Sequence, residues 1–346
     1  MKDFQATRRT LLKGAAHALA APALMYGLGT SAQAQTAVSK EAWAKVVDAA
    51  KKEGAVTIYS SQGLTLLNDM AERFKKEYGI TVTVVRAIDA EMNPRVEAEF
   101  STNKGNGDLY VTSDELLCQQ RHAKGWFTPV QGLDFDNPVY NRKARVPSNT
   151  YFESNAFVVA FGWNKELWPQ GVADYRAMLV PALAGKIGMP NPSNGALVDF
   201  YMFLEENNGA DFLQKLAALK PRIYPGALPI GQAVVSGEIT VAGYCQPLID
   251  EVAKGAPVGW RIAQKAWGAR FWGQIPRIAP HPNAAQLLAN FMITQAGQEA
   301  LARNTASSLP NIGLATTDRV HRPDPSKLTP DVVKAYQERW RTMFVA

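Results

Sequence analysis

From Gly54 onward the chain alternates short β-rich runs with amphipathic segments, and this alternation restricts its fold more than any other feature. The run "AVTIYSS" ends in small polar residues; after it Leu66, Leu67, Met70 and Phe74 recur at helical spacing until Gly79 breaks the pattern. A second strand follows in "ITVTVVRA", a helical segment in "RVEAEFSTNK" after Pro94, a third strand in "GDLYVTS" and a helix in "DELLCQQRHAKG". The last has acids at its start and Lys124-Gly125 at its end, as the helix dipole and a glycine cap favour. Strand, helix, strand, helix, strand with apolar strands predicts a parallel sheet covered on both faces.

A region containing Pro and Asn, around Asn137 to Asn149, separates this set from a second one. "AFVVAFGWN" and "KIGMPNP" read as strands, "NGALVDFYMFLEENNG" and "DFLQKLAALK" as helices, and "ITVAGY" as a further strand. Pro247 is expected just inside the next helix and Gly255 just past it. Tyr244 thus stands where a strand hands over to a helix, the end of a doubly wound sheet that faces a ligand crevice. It is either a ligand contact or a side chain filling a corner. Near the end, Ala284, Leu287, Leu288, Phe291 and Met292 form an apolar helix face, and another helix is expected from about Gln295.

The chain opens with "MKDFQATRRTLLKGAAHALAAPALMYGLGTSAQAQ". A basic start with Arg8-Arg9, an apolar stretch from Leu11 to Leu28 and Ala32-Gln33-Ala34 predict a twin-arginine signal over residues 1–34, cleaved after Ala34. The mature protein is then expected in the periplasm. Removing Lys2, Arg8, Arg9, Lys13 and Asp3 lowers the formal charge from +6 to +3, too mild an excess to indicate nucleic acid. The remaining length, about 310 residues, exceeds what one core usually spans, so two lobes are expected. Their expected bounds are 35–154 plus about 276–310 for the first, and 155–275 plus about 311–346 for the second. Cys118 and Cys245 match no metal or redox spacing and are expected as buried free thiols. The mature histidines, His122, His281 and His321, are too scattered to suggest zinc, and no cofactor is expected.

"IAPHPNAAQLLANFMITQAGQEAL", after "GEITVAGYCQPLIDEVAKGAPVGW" and before "SSLPNIGL", resembles the periplasmic solute-binding proteins of ABC importers, a family that includes the ferric-iron-binding proteins. The similarity runs from "GAVTIYSSQG" through "GDLYVTSDEL" to the end. It implies two doubly wound α/β lobes joined by crossing strands, the type II periplasmic binding fold, with a ligand cleft between the lobes and a membrane permease as partner. Iron-holding relatives use a histidine after the first strand, an acid after the third and a pair of tyrosines in the second lobe. Here those places fall at about Gly63, near Ser113 with Asp114 beside it, and at Tyr244-Cys245. That set is poor in the anionic oxygens that ferric iron favours.

The family's anion-holding turn matches "NPSNGALVDF", which places Ser193, Asn194, Gly195 and Ala196 at a helix start whose free N–H groups suit a carboxylate, phosphate or sulfonate. The alternative is that Ser193 or Asn194 only caps its own helix. On the crossing strand "SNAFVVAFGWN", Asn155 and Phe157 join the candidate set, Phe157 standing where iron binders tend to be basic. Ser60, Ser61 and Gln62 close the first strand with little packing role, and Trp163, Trp267 and Trp272 are candidates for cleft walls. The expected function is capture of a small organic anion by a monomeric binding protein, with Tyr244 donating as a neutral hydroxyl. The alternatives are ferric iron with a synergistic anion, a sensory ligand-binding subunit, and an exported enzyme. Against the last, the chain has no G-x-S-x-G, no H-E-x-x-H and no cysteine cluster.

Overall fold

The structure, a computed structural model, describes residues 38–345; the expected signal, its Arg8-Arg9 pair and its cleavage point lie outside the described residues. Among the described residues no helix is long and apolar enough to cross a membrane.

Two sheets organise these residues. The larger runs in space Ala315–Thr316, Ala306–Ser307, Tyr151–Val158, Gly268–Pro276, Leu109–Thr112, Ala55–Ser60, Thr81–Arg86, with Phe127–Thr128 paired to Gly268–Pro276. The smaller runs Val258–Arg261, Ala160–Asn164, Val241–Cys245, Ile187–Pro190, Arg222–Tyr224. The expected parallel order holds where strand and helix alternate. Ala55–Ser60 is parallel to Thr81–Arg86 and Leu109–Thr112, and Ile187–Pro190 is parallel to Arg222–Tyr224 and Val241–Cys245. Both sheets are nevertheless mixed, because Gly268–Pro276 returns antiparallel to Leu109–Thr112 and Tyr151–Val158, and Ala160–Asn164 lies antiparallel to Val241–Cys245. A strand arriving from a distant part of the chain leaves no local periodicity that reveals its direction.

The connection between the sheets is nearly continuous. Tyr151–Val158 belongs to the larger sheet and Ala160–Asn164 to the smaller, so the chain passes from one to the other at Val159. The run therefore starts in the first sheet, ahead of the "AFVVAFGWN" segment expected to open the second set. The Val159 N–H donates to the Trp267 carbonyl at 2.9 Å and Val158 pairs with Gly268, so the two crossing strands are tied at the same level. That close pairing explains Gly268: a Cβ there would lie 2.0 Å from the Phe157 carbonyl oxygen.

Each sheet has its own apolar core. Leu67, Met70 and Phe74, from the first predicted helix face, pack with Trp43, Leu287, Leu288 and Phe291 on the larger sheet, where the Phe74 and Phe291 rings meet edge to face at 5.4 Å. On the smaller sheet, helix Gly195–Asn208 buries Phe200, Tyr201, Phe203 and Leu204, and helix Pro330–Phe344 closes over it with Tyr336 and Trp340. Cys118 and Cys245 are free and buried in separate clusters, and burial pushes both thiols up. Two helix boundaries differ from expectation. One helix spans Asp89–Thr102 and takes Pro94 inside it, while Pro247 lies outside the short helix Ile249–Ala253, whose N-terminal flank is Leu248.

The tight crossing generates a stability prediction. Replacing Gly268 with Ala forces a methyl into the Phe157 carbonyl, and overpacking of this kind costs about 1–3 kcal/mol or more. Urea unfolding of the Gly268→Ala protein is expected to show a lower midpoint with unchanged slope; an unchanged midpoint would mean the strands separate at no cost.

Candidate functional site

A cavity of about 400 Å³ opens where the crossing strand meets elements of both sheets. The strand Gly268–Pro276 and its flank supply Trp267, Gly268, Ala269, Arg270 and Trp272. From the larger sheet come Ser113, Asp114, Glu115 and Leu116, at the handover from strand Leu109–Thr112 to helix Glu115–Ala123, together with Asp89. From the smaller come Gly195 and Ala196, the first turn of helix Gly195–Asn208, and the C-terminal segment adds Arg322, Pro323 and Leu328.

Of the expected contacts, Ser113, Gly195 and Ala196 are among the lining residues, as are Trp267 and Trp272. Asn194 is the cap of its helix and accepts the Leu197 N–H at 3.0 Å, which leaves the N–H groups of Gly195 and Ala196 without a hydrogen bond among the described residues. Ser193 faces a second cavity, of about 240 Å³, beside Gln337 and Trp340. Ser60, Gln62 and Asn155 sit behind the lining in a buried network: the Ser60 hydroxyl donates to Gln62 at 3.0 Å, the Gln62 amide donates to Asn155 Oδ1, and Asn155 Nδ2 donates to the Leu301 carbonyl at 2.8 Å. The Ser61 hydroxyl is buried with no partner among the described residues. Phe157 packs half-buried on the core of the smaller sheet, and Trp163 fills the space over Gly171 and Gly259.

Tyr244 lies in strand Val241–Cys245, 7% exposed, with its ring 4.8 Å from Phe200 and 5.8 Å from Trp267. Burial lifts its hydroxyl far above the usual phenol range, so the phenol is neutral. Its ring backs Trp267, whose indole N–H donates to Asp199 Oδ2 at 2.6 Å. The places where iron-holding relatives carry other ligands are taken by helix ends: Gly63 flanks helix Leu64–Tyr78, and Asp114 accepts the Leu117 N–H at 2.9 Å. Among the described residues, no three His, Cys, Asp or Glu side chains group so as to hold a metal ion.

Charges in the lining are paired in two ways. Arg270 donates to Glu153 and, at 2.8 Å, to the Val320 carbonyl; Glu153 is fully buried and also takes Arg145 at 2.7 Å, which in turn reaches Asp318 at 2.9 Å. Arg322 instead makes a two-point contact with Glu115, its Nε 2.9 Å from Oε2, while its guanidinium lies 5.2 Å from the Trp272 ring centre. Asp89 Oδ2 accepts from the Ser113 N–H at 3.1 Å and from its hydroxyl. Sequence reasoning missed Asp89, Glu115, Arg270 and Arg322. Arg322 stands in "VHRPDP", a stretch without periodicity, and nothing local marks it as a neighbour of Glu115.

A curated relative, iron uptake protein A1 of Synechocystis sp., is 23% identical over 154 residues, which are 44% of this chain and 41% of that protein; the chain thus matches less than half of the relative's length. Iron-bound HitA from Pseudomonas aeruginosa shares the fold with a TM-score of 0.62 at 15% identity, over 84% of this chain and 99% of that one. The periplasmic binding protein AfuA from Actinobacillus pleuropneumoniae, solved with exogenous fructose-6-phosphate, gives 0.58 at 18% identity over 84% and 99%. With a family model matching residues 56–304, two sheets bridged by crossing strands and a cavity at the junction, the chain belongs to the bacterial extracellular solute-binding proteins.

Proposed function

We propose that this protein is the periplasmic substrate-binding component of an ABC importer, catching a small organic anion between its two lobes and handing it to a membrane permease without chemical change. The observation that carries this reading is the cavity of about 400 Å³ in which Ser113, the first turn Gly195–Ala196 and the crossing strand meet. A cavity of this size suits a small organic solute. Free N–H groups at the positive end of a helix favour an anionic group, and the exposed Leu116 side chain offers apolar surface for its organic part. Export by the twin-arginine route, a monomeric state and lobe bounds near residues 154, 275 and 310 belong to the same proposal. Tyr244, Ser61 and Phe157 are proposed as contacts made when the lobes close.

Ferric iron is the second reading, favoured by the name of the Synechocystis relative and the iron bound in HitA. Fructose-6-phosphate in AfuA is an organic anion on the same fold.

A thermal-shift panel of citrate, phthalate, phosphonoacetate, fructose 6-phosphate, neutral sugars and polyamines tests the main reading. A true ligand at a hundredfold excess over Kd adds about 2.7 kcal/mol of stability, a plain rise in Tm. Stabilisation by at least one of the anions is expected; stabilisation by neutral sugars or polyamines alone would overturn the anionic assignment. Gly195→Leu is expected to abolish that shift with little change in intrinsic Tm, because a Cβ at Gly195 meets only Val333 Cγ2, at 3.6 Å. An unimpaired shift in this variant would place the anion elsewhere. Ferric citrate added to the protein is expected to leave it colourless, since among the described residues no three His, Cys, Asp or Glu side chains group to hold the ion; a red colour lost in Tyr244→Phe would establish the iron reading instead.

A further inference from the structure

The cavity contains two arginines, and they are not equivalent. Arg270 has both terminal nitrogens engaged, one by the buried Glu153 carboxylate and the other by the Val320 carbonyl, and its Nε is buried without a hydrogen-bond partner among the described residues. Its charge is already matched, and it is fixed in the wall between the crossing strand and the C-terminal segment. Arg322 is built differently. Its side chain is 43% exposed, Nε and Nη2 grip Glu115, one face lies over Trp272, and Nη1 has no hydrogen bond among the described residues.

Resting on the anion-binding reading above, we propose that Arg322 is the side chain that receives the ligand's anionic group, and that Glu115 is a built-in counter-anion that holds the guanidinium in place and competes with the ligand for it. The fork geometry of a guanidinium allows one edge to stay on a carboxylate while Nη1 and the adjacent edge meet a second. The Trp272 indole, with its ring centre 5.2 Å from the guanidinium carbon, covers one side of that fork. Two opposite effects of Glu115 follow. It orients Arg322, which favours binding, and it places a negative charge within a few ångströms of the incoming anion, which opposes binding. Repulsion between two carboxylates on one guanidinium outweighs the loss of orientation, because a glutamine at 115 still offers a carbonyl oxygen to Nε while removing the whole charge. Glu115 therefore keeps affinity below what Arg322 alone would give.

The experiment compares wild type, Arg322→Gln, Arg322→Lys and Glu115→Gln by isothermal titration with citrate, phthalate, phosphonoacetate and fructose 6-phosphate, with Tm measured on each protein alone. Arg322→Gln is expected to weaken binding of whichever of these anions wild type accepts by about tenfold or more, with Arg322→Lys intermediate because an ammonium keeps the charge but not the fork. Glu115→Gln is expected to tighten binding by roughly threefold, and to do so less at high salt, where repulsion is screened. Equal affinity of wild type and Arg322→Gln for a bound anion, with Tm preserved, would overturn the assignment and leave the anion-binding reading standing. Weaker binding in Glu115→Gln would overturn the competitive role. If none of the four anions binds wild type, the anion reading fails first, and this inference falls with it.

Discussion

The buried carboxylate of Glu153 holds the centre of this molecule. It lies on Tyr151–Val158, fully enclosed, between Arg145 and Arg270. A charge so placed persists only when it is paired and hydrogen-bonded, and removing one partner from such a group is far more costly than the pair is stabilising. Arg270 comes from the other crossing strand, and Arg145 from the short helix Arg142–Arg145. Through Thr317, Asp318 and the Val320 carbonyl, the same arginines fasten the C-terminal segment. One carboxylate thus ties the two crossing strands to each other and to the chain that returns past them, and the register of the cavity floor follows from that tie.

The lining of the cavity is the consequence. Because Gly268–Pro276 is fixed against Tyr151–Val158, the sequence Trp267 to Trp272 can present two indoles, a small-residue floor and a guanidinium to one cavity. Because His321 follows an isolated bridge between Ala266 and Val320, Arg322 emerges within reach of Glu115. Trp267 is held by Asp199, which also meets His321 at 3.2 Å, so helix Gly195–Asn208 and the C-terminal segment are both coupled to the cavity wall.

Much of the scaffold was legible in the residues. The spacing of Leu67, Met70 and Phe74, and the run from Ala284 to Met292, identified helix faces that the structure buries. The small-polar turn before helix Gly195–Asn208 was legible too, because a capping asparagine and a following glycine act within a few residues of themselves. Ser60, Gln62 and Asn155 were less transparent. Small polar side chains at strand ends read alike whether they meet a ligand or one another, and here they close a network whose partners are distant in sequence. The helix Pro330–Phe344, with Tyr336 and Trp340 buried, lay outside the sequence reading altogether.

By itself the sequence determined the local elements, the presence of two α/β sets and the family resemblance, since periodicity, caps and turn residues encode short-range preferences. The antiparallel course of the crossing strands, the pairing of Glu153 with Arg145 and Arg270, and the meeting of Arg322 with Glu115 were decided only in three dimensions. Each depends on residues far apart in the chain, and their side chains carry no mark of their partner until buried charge has to be matched and apolar faces have to close.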